Sequence, residues 1–156
     1  IAPMSSIGVV SNHPPLLALS LSENREGRPR DTLVNLQEGG IGSEASIFVL
    51  NADLESASAV NKTVKLVPRE KSEWDFLPES PPNYESALCA IRCRVVDFYK
   101  LPEDAVSTLV IFRVEEIEAP EGVDSTSLPV KLFQIGFDQL GPGPNDSDWR
   151  SKIDYA

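Results

Sequence analysis

Histidine, cysteine and positive charge are all scarce in this chain. It has one histidine, two cysteines and 14 Lys plus Arg against 24 Asp plus Glu, so its formal net charge is −10 over 156 residues. A chain this acidic has no general attraction for phosphate backbones, which excludes nucleic acid and anionic membrane surfaces as partners. One histidine, His13, cannot build a His-based metal centre, and the two cysteines, Cys89 and Cys93, have no second Cys/His pair to complete a zinc site. Long apolar runs are missing too. Residues 1–22 carry no Asp, Glu, Lys or Arg, but Asn12-His13-Pro14-Pro15 cuts the segment in half, too soon for a membrane span. The segment also has no basic stretch of the kind that opens a signal peptide. The usual catalytic signatures are absent as well: there is no G-x-G-x-x-G, P-loop, G-x-S-x-G or H-E-x-x-H.

Apolar residues make up 41% and charged residues 24%, the balance of a globular chain able to bury one core. The length fits one domain, residues 1–156, and a start at Ile1 without an initiator methionine leads us to expect a preceding N-terminal segment. Thirteen prolines argue against a bundle of long helices. Strand patterns occupy residues 7–10, 16–22, 46–51, 86–99, 107–119 and 129–137. Asp31 or Thr32 is placed to cap a short helix over 31–37 that Gly39, Gly40 and Gly42 end, and Asp53 is placed to cap a second over 53–63. Residues 62–84 read as a polar loop. Strands that come first and last, with two short helices between them, disfavour a doubly wound parallel sheet. They favour a mainly β chain built as a closed or half-closed antiparallel barrel with a few short helices, since closure removes the edges of long strands.

Cys89 and Cys93 lie in a strand pattern that spaces them ~13 Å apart on one face, too far for a disulfide. They are expected to be structural thiols in a reducing compartment, the cytoplasm. The acidic run of Glu115, Glu116, Glu118, Glu121 and Asp124 reads as a solvated face.

Against the acidic background, Arg25, Arg28 and Arg30 cluster directly before the helix start at Asp31-Thr32. A helix N-terminus offers free N–H groups, and an arginine with a threonine hydroxyl beside it suits a phosphate monoester. A solvated loop with an ordinary cap explains the same residues. Ser5 and Ser6 stand at the edge of an apolar strand. Together, hydroxyls, a flat apolar strand and a distant phosphate anchor are the needs of a flavin, whose own redox chemistry requires no visible catalytic triad.

These segments resemble the flavin reductase-like family with the FMN-binding split barrel. Ala2-Pro3-Met4-Ser5-Ser6 matches its first element, with Met4 where an aromatic is common. Ser11-Asn12-His13-Pro14-Pro15 matches its turn, and Arg30-Asp31-Thr32 followed by Asn35 its helix start. The resemblance implies that Met4, Ser5 and Ser6 lie along the isoalloxazine and ribityl chain. Ser20 and Asn24 would lie near the flavin's polar edge, Arg30 and Thr32 on the phosphate, and Asp31 at the helix cap. It further implies a homodimer holding FMN, or alternatively FAD, that oxidises NADH or NADPH and can serve a partner monooxygenase. The chain departs from the family after the second helix, where residues 65–74 are short. It departs again at the end, where only Lys131-Leu132-Phe133 and Asp154-Tyr155-Ala156 stand for a Gly-containing motif. Two other readings remain: an electron-transfer or flavin-binding module without reductase activity, and a cofactor-free β-barrel that binds other proteins.

Overall fold

The computed structural model describes residues 1–4, 7–23, 27–64, 73–76, 87–102, 105–119, 133–136 and 139–141. Seven strands carry it: β1 (Gly8–Asn12), β2 (Pro15–Ser22), β3 (Glu44–Leu50), β4 (Ala87–Lys100), β5 (Ser107–Glu118), β6 (Phe133–Gly136) and β7 (Gln139–Gly141). Two helices, α1 (Asp31–Gly39) and α2 (Leu54–Val64), and a 3-10 turn over Glu73–Phe76 complete the described elements. The first five strands form an antiparallel sheet in the order β1-β2-β5-β4-β3, while β6 and β7 pair as a hairpin. By its internal contacts the chain divides into two units. One is Ser6–Ile47 with Ile91–Ile117, the other Ile1–Ser5, Phe48–Ala90 and Glu118–Ala156.

In the first unit, β1 and β2 form a hairpin across His13-Pro14, with Asn12 opposite Pro15. The expected turn over Ser11–Pro15 narrows to His13-Pro14, whose peptide bond is cis, while Pro15 is already the first residue of β2. β2 then pairs with β5 over seven positions, from Leu16 opposite Arg113 to Ser22 opposite Ser107. Side chains alternate across a strand, so this register puts Leu17 with Phe112 and Leu19 with Val110 on one face. All four are buried, Val110 fully. At the end of the ladder the Ser22 and Ser107 hydroxyls share a hydrogen bond of 2.7 Å, and the Glu23 N–H donates to the Val106 carbonyl at 2.8 Å.

α1 ends as the glycines require. Gly40 and Gly42 have φ of 72° and 90°, a region that costs glycine nothing. The Gly40 N–H closes the helix on the Leu36 carbonyl at 2.9 Å. The chain then docks on β4: the Gly42 N–H donates to Val95 O, and the Val95 N–H to Ser43 O. Arg94 reinforces this turn through the Gly42 carbonyl and the Glu44 carboxylate at 2.7 Å. Both partners of that ion pair are exposed, so the main-chain bonds matter more.

In the second unit, Asp53 caps α2 as expected, its Oδ1 accepting from the Ser56 N–H at 2.7 Å. Ser56, Ala57, Ala59 and Thr63 form the buried side of this helix, and the Thr63 hydroxyl is satisfied by the Val60 carbonyl. Small side chains there let backbone pack closely without orphaned polar groups.

Three expectations need correction. The expected loop over 62–84 contains the end of α2 and the 3-10 turn. The third strand begins at Glu44, because main-chain pairing outweighs the polar character of Glu44 at an exposed position. The last apolar stretch forms strand only from Phe133 among its described residues, and a second strand, β7, folds back on it in a ladder with a register shift.

Phe112, 1% exposed, stands at the centre of the β2–β5 face. Phe112→Ala is expected to lower unfolding free energy by about 3–5 kcal/mol through lost burial and an unfilled cavity. Urea denaturation of the two proteins measures it.

Candidate functional site

The basic cluster and its helix start lie in the unit that holds the β2–β5 ladder. After Ser22 the chain leaves the sheet, and an isolated bridge between Glu23 and Pro29 closes the base of the intervening loop. Arg30 follows directly, in extended conformation at φ −66° and ψ 144°, and α1 begins at Asp31. The Arg30 carbonyl accepts the N–H groups of Leu33 and Val34 at 2.9 and 3.1 Å.

This corrects the cap assignment. Asp31 and Thr32 are the first two helical residues and the cap position belongs to Arg30, which makes no side-chain cap bond. An arginine has five donors and no acceptor, so it cannot cap a helix start internally. Arg30 keeps extended backbone while its carbonyl already accepts the first helical N–H groups, which is what defines the cap position. Asp31 stands in the first turn, where its carboxylate is favoured by the helix dipole. Arg30 and Asp31 are exposed and Thr32 is half-buried. A guanidinium and a hydroxyl thus stand at one helix end whose cap residue makes no side-chain cap bond. This donor set fits an external anion such as a phosphate monoester.

The other candidates are more scattered. Ser20 is exposed on β2, paired with Leu109, on the opposite face from Leu19 and Leu21. Met4 is 41% exposed and belongs to the other unit. Ser5, Ser6 and Asn24 lie outside the described residues, as does Arg25. The structure therefore brings together Arg30, Asp31 and Thr32, with Ser20 in the same unit.

A feature not expected from the sequence is an apolar groove of about 440 Å3 lined by Val10, Leu16, Val96, Asp97, Tyr99, Leu109 and Ile111. It follows from the register, which sets Leu16, Ala18, Leu109 and Ile111 on the face opposite the Leu17–Phe112 pair. The signal was the unbroken apolar run at 109–112, which marks a strand apolar on both faces. At the groove's edge Tyr99 shares a hydrogen bond with Asp97, whose carboxylate raises the phenol's pKa.

Both cysteines are free, Cys93 buried and Cys89 half-buried. Burial pushes the Cys89 thiol up. Burial, with a further push from the Glu115 carboxylate, moves Cys93 from 9.0 to about 11. A thiol held protonated is a poor nucleophile and a poor metal ligand, in keeping with a structural role. Among the described residues no cluster of three or more His, Cys, Asp or Glu could hold a metal ion. Among them, too, no helix is long and apolar enough to cross a membrane.

Residues 1–141 match the family described as flavin reductase like domain. The chain belongs to that family. It is 30% identical over 103 residues to BH2278, an uncharacterized protein of Halalkalibacterium halodurans. That match takes in 60% of this chain and 46% of the relative, so the chain spans about half the length of the curated relative it matches. Among solved structures it resembles nitrilotriacetate monooxygenase component B from Bacillus cereus, with a TM-score of 0.70 and 19% identity over 90% of this chain and 74% of that one. It also resembles an FMN-binding protein from Thermus thermophilus solved with p-hydroxybenzaldehyde, with a TM-score of 0.65 and 17% identity over 86% and 73% of the two chains. The shared fold is the split barrel of flavin reductases, mainly β as the strand pattern predicts.

The raised Cys93 pKa has a sign. The folded protein keeps the proton longer than the unfolded chain, so this group's contribution is complete below pH 9 and is lost as pH rises toward about 11. Stability measured by urea denaturation is expected to fall across that window, and Cys93→Ala to flatten the fall. An equal slope in both proteins would remove Cys93 as its source.

Proposed function

We propose that this flavin reductase-like domain binds FMN and accepts hydride onto it from NADH or NADPH. The observation that carries the reading is Arg30 at the cap of α1 with no side-chain cap bond. In an acidic chain, an exposed arginine at a helix cap that makes no side-chain cap bond suits an anionic ligand at that helix end. Family membership makes that anion the phosphate of a flavin.

In this reading the Arg30 guanidinium and the Thr32 hydroxyl hold the phosphate, while Asp31 supports the helix start through the dipole. Ser20 offers a hydroxyl to the polar edge of the ring system, with Asn24 in the loop that shapes that edge. The family resemblance alone assigns Met4, Ser5 and Ser6 to the isoalloxazine and ribityl chain, a role in which a thioether would give a polarizable apolar contact. Bound flavin supplies the hydride acceptor at N5, so the chain itself needs no catalytic acid or base. Its contribution is to align the nicotinamide against the ring and to keep water away. The absence of G-x-S-x-G, H-E-x-x-H and a second histidine is then in keeping with an oxidoreductase.

FMN is favoured over FAD because the Thermus thermophilus protein is an FMN-binding protein. A partner monooxygenase is supported by the Bacillus cereus protein, a monooxygenase component. We further assign a homodimer in the cytoplasm, with flavin near the subunit interface. Exposed Val9 and Val10 on β1 are apolar surface of the kind that a second copy would cover in this reading.

Purified protein is expected to oxidise NADH or NADPH in the presence of added FMN, followed by loss of nicotinamide absorbance. Flavin binding without such oxidation would leave a binding or electron-transfer module, and neither would leave a cofactor-free barrel. Arg30→Ala is expected to weaken FMN binding by about 1.5–3 kcal/mol, the range for a charged hydrogen bond, and to leave riboflavin binding unchanged. Fluorescence titration with both flavins checks this, and an equal loss for the two would remove Arg30 from the phosphate. If the interface helps to form the site, sedimentation over a dilution series should show subunits and flavin released together, with added FMN strengthening the dimer. A flavin-loaded monomer at every concentration would overturn the dimer.

A further inference from the structure

We draw no further inference here: the strongest candidate, the apolar groove that crosses the five-stranded sheet from Val10 on β1 to Tyr99 on β4, carries nothing because nothing in the structure shows what covers it.

Discussion

The seven-position register between β2 and β5 is the constraint from which the first unit is built. Leu17 and Leu19 meet Phe112 and Val110 on one face only in this register, and a slip of β2 by one residue would turn Leu17 and Leu19 away from Phe112 and Val110. β1 is fixed because it hangs on β2, and β4 because it lies against β5. The same ladder sets where α1 begins. It runs to Ser22 opposite Ser107, the Glu23 N–H extends it to Val106, and the Glu23–Pro29 bridge closes the loop behind it. Arg30 is the first residue past that closure. A surface arginine on a long loop would lose much conformational freedom on holding an anion. One set beside a pinned loop base and a helix loses less.

The far end of α1 is held as firmly. Gly40 and Gly42 turn the chain so that Gly42 and Ser43 bond to both main-chain groups of Val95. The helix is therefore tied at its C-terminal end to a buried position of β4 and led into at its N-terminal end from β2. Its orientation comes from two strands rather than from its own propensity. That is consistent with its length of nine residues, short for a helix to be stable alone.

Much of this was legible in the sequence. Short β-branched and apolar runs marked β4 and β5, Asp53 marked the start of α2, and the glycines marked the end of α1. The Arg-Asp-Thr sequence pointed to the right helix end. It did not tell which residue holds the cap, because Asp31 and Thr32 are both good cap residues, whereas the structure puts the extended, half-in position at Arg30. The groove was hidden for a different reason. Its residues come from four strands, and only pairing between positions far apart in sequence, such as Leu16 with Arg113 and Ser20 with Leu109, puts them on one face. Periodicity reports that a strand has two apolar faces, but not which neighbours share each.

β1 has a consequence for how the chain behaves at high concentration. It is an outer strand of the five-stranded sheet, short and exposed along most of its length. Such an edge offers unpaired main-chain groups on which other chains can add strands. Its pairing with β2, however, shifts register between Val9 and Ser11, and prolines at 14 and 15 follow at once. A shift of this kind locally disrupts the ladder, and a proline supplies no main-chain donor for strand pairing. An edge with such an irregularity is a poorer template for added strands than a flat, regular one, even with Val9 and Val10 exposed on it.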